Sequence, residues 1–388
     1  MGPTKSNMKI LIFNTLYYPY RIGGAEVSVQ ILAEELVKKG HSVRVVSCTE
    51  DDERSFDIIN GVELVRIPLL NCYWPFTKEK KSKIKKIIWH ILDSSNFFMD
   101  KKIKLELDDF LPDIVHTNNV CGFSSRIWKT IKNKKYPLIH TSRDYYLFHP
   151  NSTLFRKNKI MNENGVSVFL WSMLRRRYSS YVDTYVGISK FILELHVNNG
   201  FFKNKKTSFI YNPVKSIVVN NNNSIKNIGF IGRLSTEKGF DIYCNLSKSY
   251  SDKYNFIAAG DYVINEKTSM ELLANRSGVD VRGYMSLSDF LSEVDAVVLP
   301  IKWNEPFGRT VVECALAGKF VISNRVGAIT ELADILPNVI LLDNVEVDFN
   351  CALQLVQKGK TYTGNDFDAS SIADKYVEQY NNTITSVK

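Results

Sequence analysis

Short apolar runs alternate with helix-period stretches along nearly the whole chain. Residues 8–13 (MKILIF) are a continuous apolar run, too short for a helix, which predicts a strand buried on both faces. A loop with Pro19 and Gly23-Gly24 follows, then apolar positions at helical spacing over 27–38, closed by Gly40. Residues 41–47 (HSVRVVS) read as a second strand. Strand, loop, helix, strand opens a doubly wound α/β domain. Further buried strands are expected at 113–116, 138–141 and 183–188. After four asparagines at 220–223 the rhythm restarts. Strands are expected at 227–231, 255–259, 296–299, 320–323 and 339–342, with helices between them, including 309–317, and a last helix at 370–380. The pattern predicts two Rossmann-like domains, 1–217 and 218–388, which suits a chain of 388 residues.

Composition narrows the class. Apolar content of 44% and charged content of 23% are those of a soluble globular protein. The six cysteines form no CxxC pair and match no zinc spacing, so reduced, mostly buried thiols in a cytoplasmic protein are expected. Residues 1–7 read as an extension before the first strand, and 8–13 is too short for a signal-peptide core. No run approaches the ~18 apolar residues that span a bilayer. Charge changes the picture more. Residues 1–217 hold 34 Lys and Arg against 20 Asp and Glu, or +14, and the remainder is −5. A basic first half beside an acidic second half implies different partners for each: a nucleic acid, an anionic membrane or a phosphorylated acceptor for the first. No nucleic-acid-binding module is recognisable.

The sharpest chemistry lies at 305–313 (EPFGRTVVE), where two carboxylates straddle a strand-to-helix turn. Glu305 in the loop can accept hydrogen bonds from sugar hydroxyls. Glu313 on the helix can accept both ribose hydroxyls, or simply complement the helix N-terminus. Gly308 lets the backbone approach a ligand at the helix start. Upstream, 232–239 (GRLSTEKG) follows a strand and opens a helix. Arg233 and Lys238 there either clamp a diphosphate or are two solvated surface cations.

In the first half, Lys78, Lys80, Lys81, Lys83, Lys85 and Lys86 interleave with Ile84, Ile87, Ile88, Trp89 and Ile91, so 78–104 predicts a basic amphipathic helix. It reads either as a contact for an anionic membrane or lipid diphosphate, with Lys81, Lys85, Lys86 and Trp89 as candidates, or as an exposed helix with a solvated charged face. Arg175-Arg176-Arg177, with Trp171 and Tyr178 nearby, is a candidate for the same surface. His140 sits in an apolar strand and is expected to be a structural, buried histidine. Asp366-Phe-Asp368 has DxD spacing but lies in a polar tail, and a solvated turn is expected.

Taken in order, these segments resemble glycosyltransferase family 4, retaining glycosyltransferases of the GT-B fold. The resemblance covers about 8–380: a glycine loop at 17–26 (YYPYRIGGAE), 183–190 (DTYVGISK), 211–214 (YNPV), the Arg233–Lys238 loop, and 297–309 (VVLPIKWNEPFGR). It implies two α/β Rossmann-like domains facing each other across a cleft, acceptor in the first and donor in the second, with the C-terminal helix returning toward the first. It implies that Gly23 and Gly24 bring amides to the donor diphosphate, and that Arg233 and Lys238 neutralise it. Glu305 would hold the donor sugar, supported by the Phe307 and Gly308 backbone, and Glu313 the ribose. Gly283, Tyr284 and Met285 would contact the base, although the residues read equally well as a plain loop. Many members carry His before Asp where this chain has Arg143-Asp144. A guanidinium is a permanent cation, so Arg143 can contact sugar or phosphate but cannot act as an imidazole base. Asp144 would orient Arg143 or the acceptor. Front-face attack is implied, the leaving diphosphate taking the acceptor proton.

The implied reaction uses a nucleotide-sugar co-substrate, no other cofactor and no metal, Arg233 and Lys238 carrying the diphosphate charge. Its acceptor would be a glycan or lipid-linked sugar in surface-polysaccharide assembly, with no nucleic acid, in the cytoplasm or peripheral on the inner face of the membrane. A nucleotide-sugar epimerase shares the fold but needs more catalytic carboxylates and histidines in the cleft than the first half offers. A silent nucleotide-sugar-binding subunit has less need of Arg233, Lys238, Glu305 and Glu313 together. A nicotinamide enzyme needs GxGxxG directly after a strand, and a P-loop enzyme needs GKS or GKT; neither occurs.

Overall fold

A strand that is buried on both faces must be apolar at nearly every position, and the short apolar runs of this chain become such strands. In the computed structural model, which describes residues 7–20, 23–77, 79, 81–217, 219, 224–356, 362 and 364–387, the strands are β1 Lys9–Phe13, β2 Ser42–Thr49, β3 Ser55–Ile59, β4 Val62–Pro68, β5 Ile114–Thr117, β6 Leu138–Ser142, β7 Phe155–Arg156, β8 Lys159–Ile160, β9 Thr184–Gly187, β10 Lys206–Phe209, β11 Asn227–Ile231, β12 Asn255–Ala259, β13 Asp280–Val281, β14 Ala296–Leu299, β15 Phe320–Asn324 and β16 Val339–Leu342. The helices are α1 Gly24–Lys38, α2 Lys83–Ser94, α3 Asp100–Phe110, α4 Ile127–Asn133, α5 Val166–Ser179, α6 Lys190–Asn198, α7 Phe240–Tyr250, α8 Lys267–Ser277, α9 Leu287–Glu293, α10 Arg309–Leu316, α11 Ile329–Ile335, α12 Val345–Val356 and α13 Ala369–Val387. Residues 1–6, 21–22 of the glycine loop, Lys78, Lys80 and the asparagines at 220–223 lie outside the described residues.

The chain forms two compact units. Unit 1 comprises residues 1–153, 162–213 and 366–388; unit 2 comprises 154–161 and 214–365. Unit 2 thus takes in the β7–β8 hairpin, from within the range 1–217 expected for the first domain, and Lys302 Nζ hydrogen-bonds Asn158 Oδ1 of that hairpin at 3.5 Å.

Unit 1 is built on an eight-stranded sheet in the order β10-β9-β6-β5-β1-β2-β4-β3. All its neighbours are parallel except β3 and β4, an antiparallel edge hairpin. The order reverses direction between β1 and β5, which is the switch point where a doubly wound sheet opens a crevice at its strand carboxyl ends. Helix α13 is part of this unit. It buries Ile372, Ala373, Tyr376 and Tyr380, and the Tyr380 hydroxyl meets His116 Nδ1 at 2.8 Å. Asp368 ends the tail before it, its carboxylate accepting the Ser371 N–H at 2.9 Å. The segment is a turn, as expected, with Asp368 exposed, and Phe367 between the two aspartates is buried against Tyr211.

Unit 2 is an all-parallel six-stranded sheet, β13-β12-β11-β14-β15-β16. That is the doubly wound order 3-2-1-4-5-6, with its switch point between β11 and β14. Of the six cysteines, all free, Cys48, Cys244 and Cys314 are buried, Cys121 is half-buried, and Cys72 and Cys351 are exposed.

The stretch 78–104 is three pieces rather than one helix: α2, a 3-10 turn at Phe97–Met99, and the start of α3. Trp89 is not on an outward face. It is 1% exposed and donates its indole N–H to the Tyr73 carbonyl at 2.9 Å. Among the described residues no helix is long and apolar enough to cross a membrane.

Candidate functional site

In unit 2 the donor candidates converge on the carboxyl edge of the sheet. Arg233 and Lys238 lie in the loop after β11; Trp303, Glu305, Phe307 and Gly308 lie in the loop after β14; Glu313 lies on α10; and Gly283, Tyr284 and Met285 follow β13. Glycines allow these loops to close on one another. Gly239 has φ +79°, and a Cβ there would overlap the Pro300 carbonyl oxygen at the end of the neighbouring strand. Gly308 has φ +87°, and a Cβ would drive into the Ile329 side chain. Both positions demand glycine for conformation and for space.

Side chains then meet across the switch point. Lys238 Nζ donates to Glu305 Oε2 at 2.6 Å. The Trp303 indole donates to the same oxygen at 3.0 Å, and Lys238 lies over the Trp303 ring at 5.2 Å. Glu305 is buried, and its backbone carbonyl accepts the Ala328 N–H at 2.9 Å. Its carboxylate is therefore fixed at the side chain by two donors and at the main chain by the next loop. Arg233 pairs with Glu237. Arg309 Nε donates to Glu313 Oε1 at 2.8 Å, and burial pushes the Glu313 carboxyl up despite that cation. Phe307 is buried under the start of α10, whose N-cap is the glycine at 308, a residue without a capping side chain. Helix N-terminal amides beside paired cations suit an anion, and carboxylates held on fixed donors suit hydroxyls. The Gly283 carbonyl accepts the Gly260 N–H at 2.7 Å, and Tyr284 beside it is 84% exposed.

The carboxyl edge of unit 1 is built differently. Arg143 is buried just after β6. Its Nε donates to Asn118 Oδ1 at 2.9 Å, and its Nη1 donates to Asn212 Oδ1. Thus the ends of β5 and β6 and the 211–214 segment are pinned by one guanidinium. Asp144 beside it accepts the Tyr146 N–H at 2.8 Å. Burial pushes its carboxyl up to about 6, and the charge of Glu26 adds to the rise. Asn118, Ser142, Arg143, Asp144 and Tyr146 line one small cavity.

Gly23 caps α1, and its N–H goes to Glu26 Oε2 at 2.9 Å. That amide, expected to face the donor diphosphate, is held by a carboxylate of its own helix, a capping-box bond. His140 is a buried structural histidine: its ring meets Thr117 Oγ1 at 3.0 Å and Ser142 Oγ at 3.2 Å, and burial holds it well below the usual imidazole range.

Of the surface candidates, Lys85 and Lys86 are exposed on α2. Lys81 precedes the helix and pairs with Glu79 at 2.6 Å. Arg175 is not on the surface. It is fully buried, with its guanidinium 4.1 Å from the Tyr146 ring centre and its Nη1 donating to the Tyr146 carbonyl at 2.5 Å.

Trp303, Glu26, Asn118 and Asn212 were not singled out from sequence. The first stands two residues before Glu305, Asn212 lies within the 211–214 marker and Glu26 closes the 17–26 glycine loop, so these three had a local signal; Asn118 had none.

The sequence profile of Glycosyltransferase Family 4 matches residues 22–216. That of Glycosyl transferases group 1 matches residues 225–355. An uncharacterized 42.6 kDa protein in the cps region of Klebsiella pneumoniae is 48% identical over 341 residues, 87% of this chain and 91% of that one. Among solved structures, sucrose-phosphate synthase of Thermosynechococcus elongatus superposes with a TM-score of 0.75 at 15% identity, covering 98% of this chain and 100% of that one. HepE of Anabaena in complex with UDP gives 0.62 at 17%, covering 98% and 99%; the same protein has also been solved with UDP-glucose. With two profiles spanning both units and two doubly wound sheets in place, the chain belongs to glycosyltransferase family 4 and is a glycosyltransferase of the GT-B fold.

Proposed function

We propose that the protein is a retaining, metal-independent hexosyltransferase. It takes its sugar from a nucleotide-diphosphate donor and passes it to a lipid-linked or growing surface polysaccharide (O-antigen, capsule or exopolysaccharide). It works in the cytoplasm, peripherally on the inner face of the membrane. The observation that carries the donor half is the Lys238–Glu305–Trp303 cluster at the switch point of unit 2. The UDP and UDP-glucose complexes of HepE support a nucleotide-sugar donor, and the cps-region relative supports a surface polysaccharide as product.

The cluster suggests an exchange of partners. Donor diphosphate draws Lys238 and Arg233 away from their carboxylates, which stay partly hydrated and bear the change at modest cost. Glu305, still oriented by Trp303, then accepts hydroxyl protons of the sugar. Glu313, steadied by Arg309, accepts from the ribose hydroxyls, and Tyr284 and Met285 lie beside the base. The bond from the anomeric carbon to the β-phosphate oxygen breaks. The acceptor oxygen bonds to that carbon on the same face, and its proton passes to the departing phosphate oxygen. Position and electrostatics do the catalytic work, with no protein nucleophile. In unit 1, Arg143 and Asp144 serve the acceptor.

A panel of nucleotide sugars tested by thermal shift, with and without EDTA, checks this, because a ligand of the native state raises its apparent stability. One UDP-, GDP- or dTDP-sugar should stabilise the protein equally in both conditions. Glu305→Ala should keep the fold and lose turnover by roughly a hundredfold or more. No binding by any nucleotide sugar, or unchanged turnover in that variant, overturns the assignment. Stabilisation that EDTA abolishes overturns metal independence. Inversion at the anomeric carbon of the product, read by NMR, overturns the retaining course.

A further inference from the structure

We infer that the outward faces of α2 and α5 form one membrane-docking platform, whose apolar stripes enter the interface of an anionic bilayer while flanking cations reach its headgroups. The inference rests on the lipid-linked acceptor reading but not on the donor chemistry.

Direction is the first observation. On α2 the isoleucines at 84, 87, 88 and 91 share one stripe, and all four are exposed, Ile84 at 70%. The residues that α2 buries are Trp89, Asp93 and Ser94. At 3.6 residues per turn Trp89 and Asp93 lie roughly 140–180° from Ile84. An ordinary surface helix turns its apolar stripe inward, as α1 does with Val29, Leu32 and Leu36. Helix α2 turns a tryptophan and an aspartate inward and its isoleucines out.

Helix α5 does the same. Val166, Phe169, Leu170, Met173 and Leu174 form its stripe and are all exposed, Val166 at 77%, whereas Val168, Ser172, Arg175 and Ser179 are buried. The two helices touch each other, with the His90 and Trp171 rings 6.0 Å apart edge to face.

A buried cluster locks them together. The Tyr146 hydroxyl donates to Asp93 of α2 at 2.6 Å, and Arg175 of α5 bonds the Tyr146 carbonyl. Tyr146 is two residues beyond Asp144, so the helices with outward apolar stripes also brace the loop that carries the acceptor candidates.

Charge selects the occupant. Lys83 and Lys85 sit roughly 100° to either side of Ile84, both exposed with Lys86, and Arg177 ends the α5 stripe, exposed. The sole carboxylate in α2 is the buried Asp93, and α5 has none. Long cationic side chains flanking an apolar stripe, with no exposed acid, match a surface of acyl chains below anionic headgroups.

Flotation of the full chain with vesicles tests this, using phosphatidylglycerol–phosphatidylethanolamine against phosphatidylcholine alone. The wild type should float with the anionic vesicles and weakly with the neutral ones, and salt should release part of it. Phe169→Asp with Met173→Asp on α5, and separately Ile87→Asp with Ile88→Asp on α2, should each lower binding roughly tenfold or more. Melting temperature and the nucleotide-sugar thermal shift should not move in either double variant. A wild type that stays out of anionic vesicles, or variants that float like it, overturns the platform. So does a wild-type dimer in light scattering that both variants dissociate, since the face would then belong to a second copy. Loss of the nucleotide-sugar response in the wild type, with flotation intact, would instead remove the donor reading and leave the platform standing.

Discussion

The carboxyl edges of the two sheets handle charge in different ways. In unit 2 the candidate cations are matched one to one by carboxylates: Arg233 with Glu237, Lys238 with Glu305, Arg309 with Glu313. In unit 1 the guanidinium of Arg143 is buried and held by two neutral amides, and desolvation pushes the nearby carboxyls of half-buried Asp144 and buried Asp93 up to about 6. Charged pairs can exchange partners with an incoming anion, which fits a surface that binds and releases a diphosphate. Buried polar shells hold a geometry and respond to protons instead.

The strongest test of that contrast is steric. Gly239→Ala places a Cβ against the Pro300 carbonyl in a left-handed conformation, so unit 2 should lose on the order of 3 kcal/mol in denaturant unfolding. Gly23 in unit 1 has φ −155°, extended backbone open to any residue. Gly23→Ala should change stability by about 1 kcal/mol or less. Equal losses in the two variants would break the view that Gly239 is a steric requirement and Gly23 is not.

Smaller effects separate the two edges chemically. Trp303→Phe keeps the ring near Lys238 but removes the indole donor from Glu305. Turnover should fall roughly tenfold and the melting temperature should drop with it, since a buried hydrogen bond to a charged group is lost. Arg143→Lys cannot reach Asn118 and Asn212 together, and in a buried site it should cost about 1–2 kcal/mol of stability as well as activity. An Arg143→Lys protein as stable as the wild type would mean that the two amides do not hold this loop.

The unit 2 edge was legible in sequence because its demands are local. Strands at 227–231, 255–259, 296–299 and 339–342 fall on the apolar runs themselves, and glycines mark the turns. Unit 1 was less legible because its site is assembled over distance. Asn118 and Asn212 lie 25 and 69 residues from Arg143, and although Asn212 falls in the 211–214 marker, nothing in the sequence ties either one to Arg143. The β3–β4 hairpin is less legible because β3 (SFDII) is a short, exposed edge strand, although Asn60-Gly61, both at positive φ, is a hairpin turn signal. Trp89 was grouped with the isoleucines by apolarity alone. Counting five residues from Ile84 places it on the far side of the helix, where the structure has it.

The finest test uses protons. Asp144 is an acid whose folded value, about 6, lies above the ordinary aspartate value of 3.8. The folded state therefore prefers it protonated. Its contribution to stability is full below the free-carboxylate range and is lost as pH rises through about 6. Between those values the wild type should become less stable with rising pH by more than Asp144→Asn does, because the amide cannot titrate. The same substitution should remove a step near pH 6 from the turnover profile if Asp144 must ionise to serve the acceptor, and should leave the nucleotide-sugar thermal shift unchanged, since the donor candidates lie in unit 2. Parallel stability curves for the two proteins from pH 4 to 6 would mean that the surroundings of Asp144 do not favour its protonated form. The contrast between a proton-responsive edge and an ion-paired one would then fail at the residue where it is drawn most sharply.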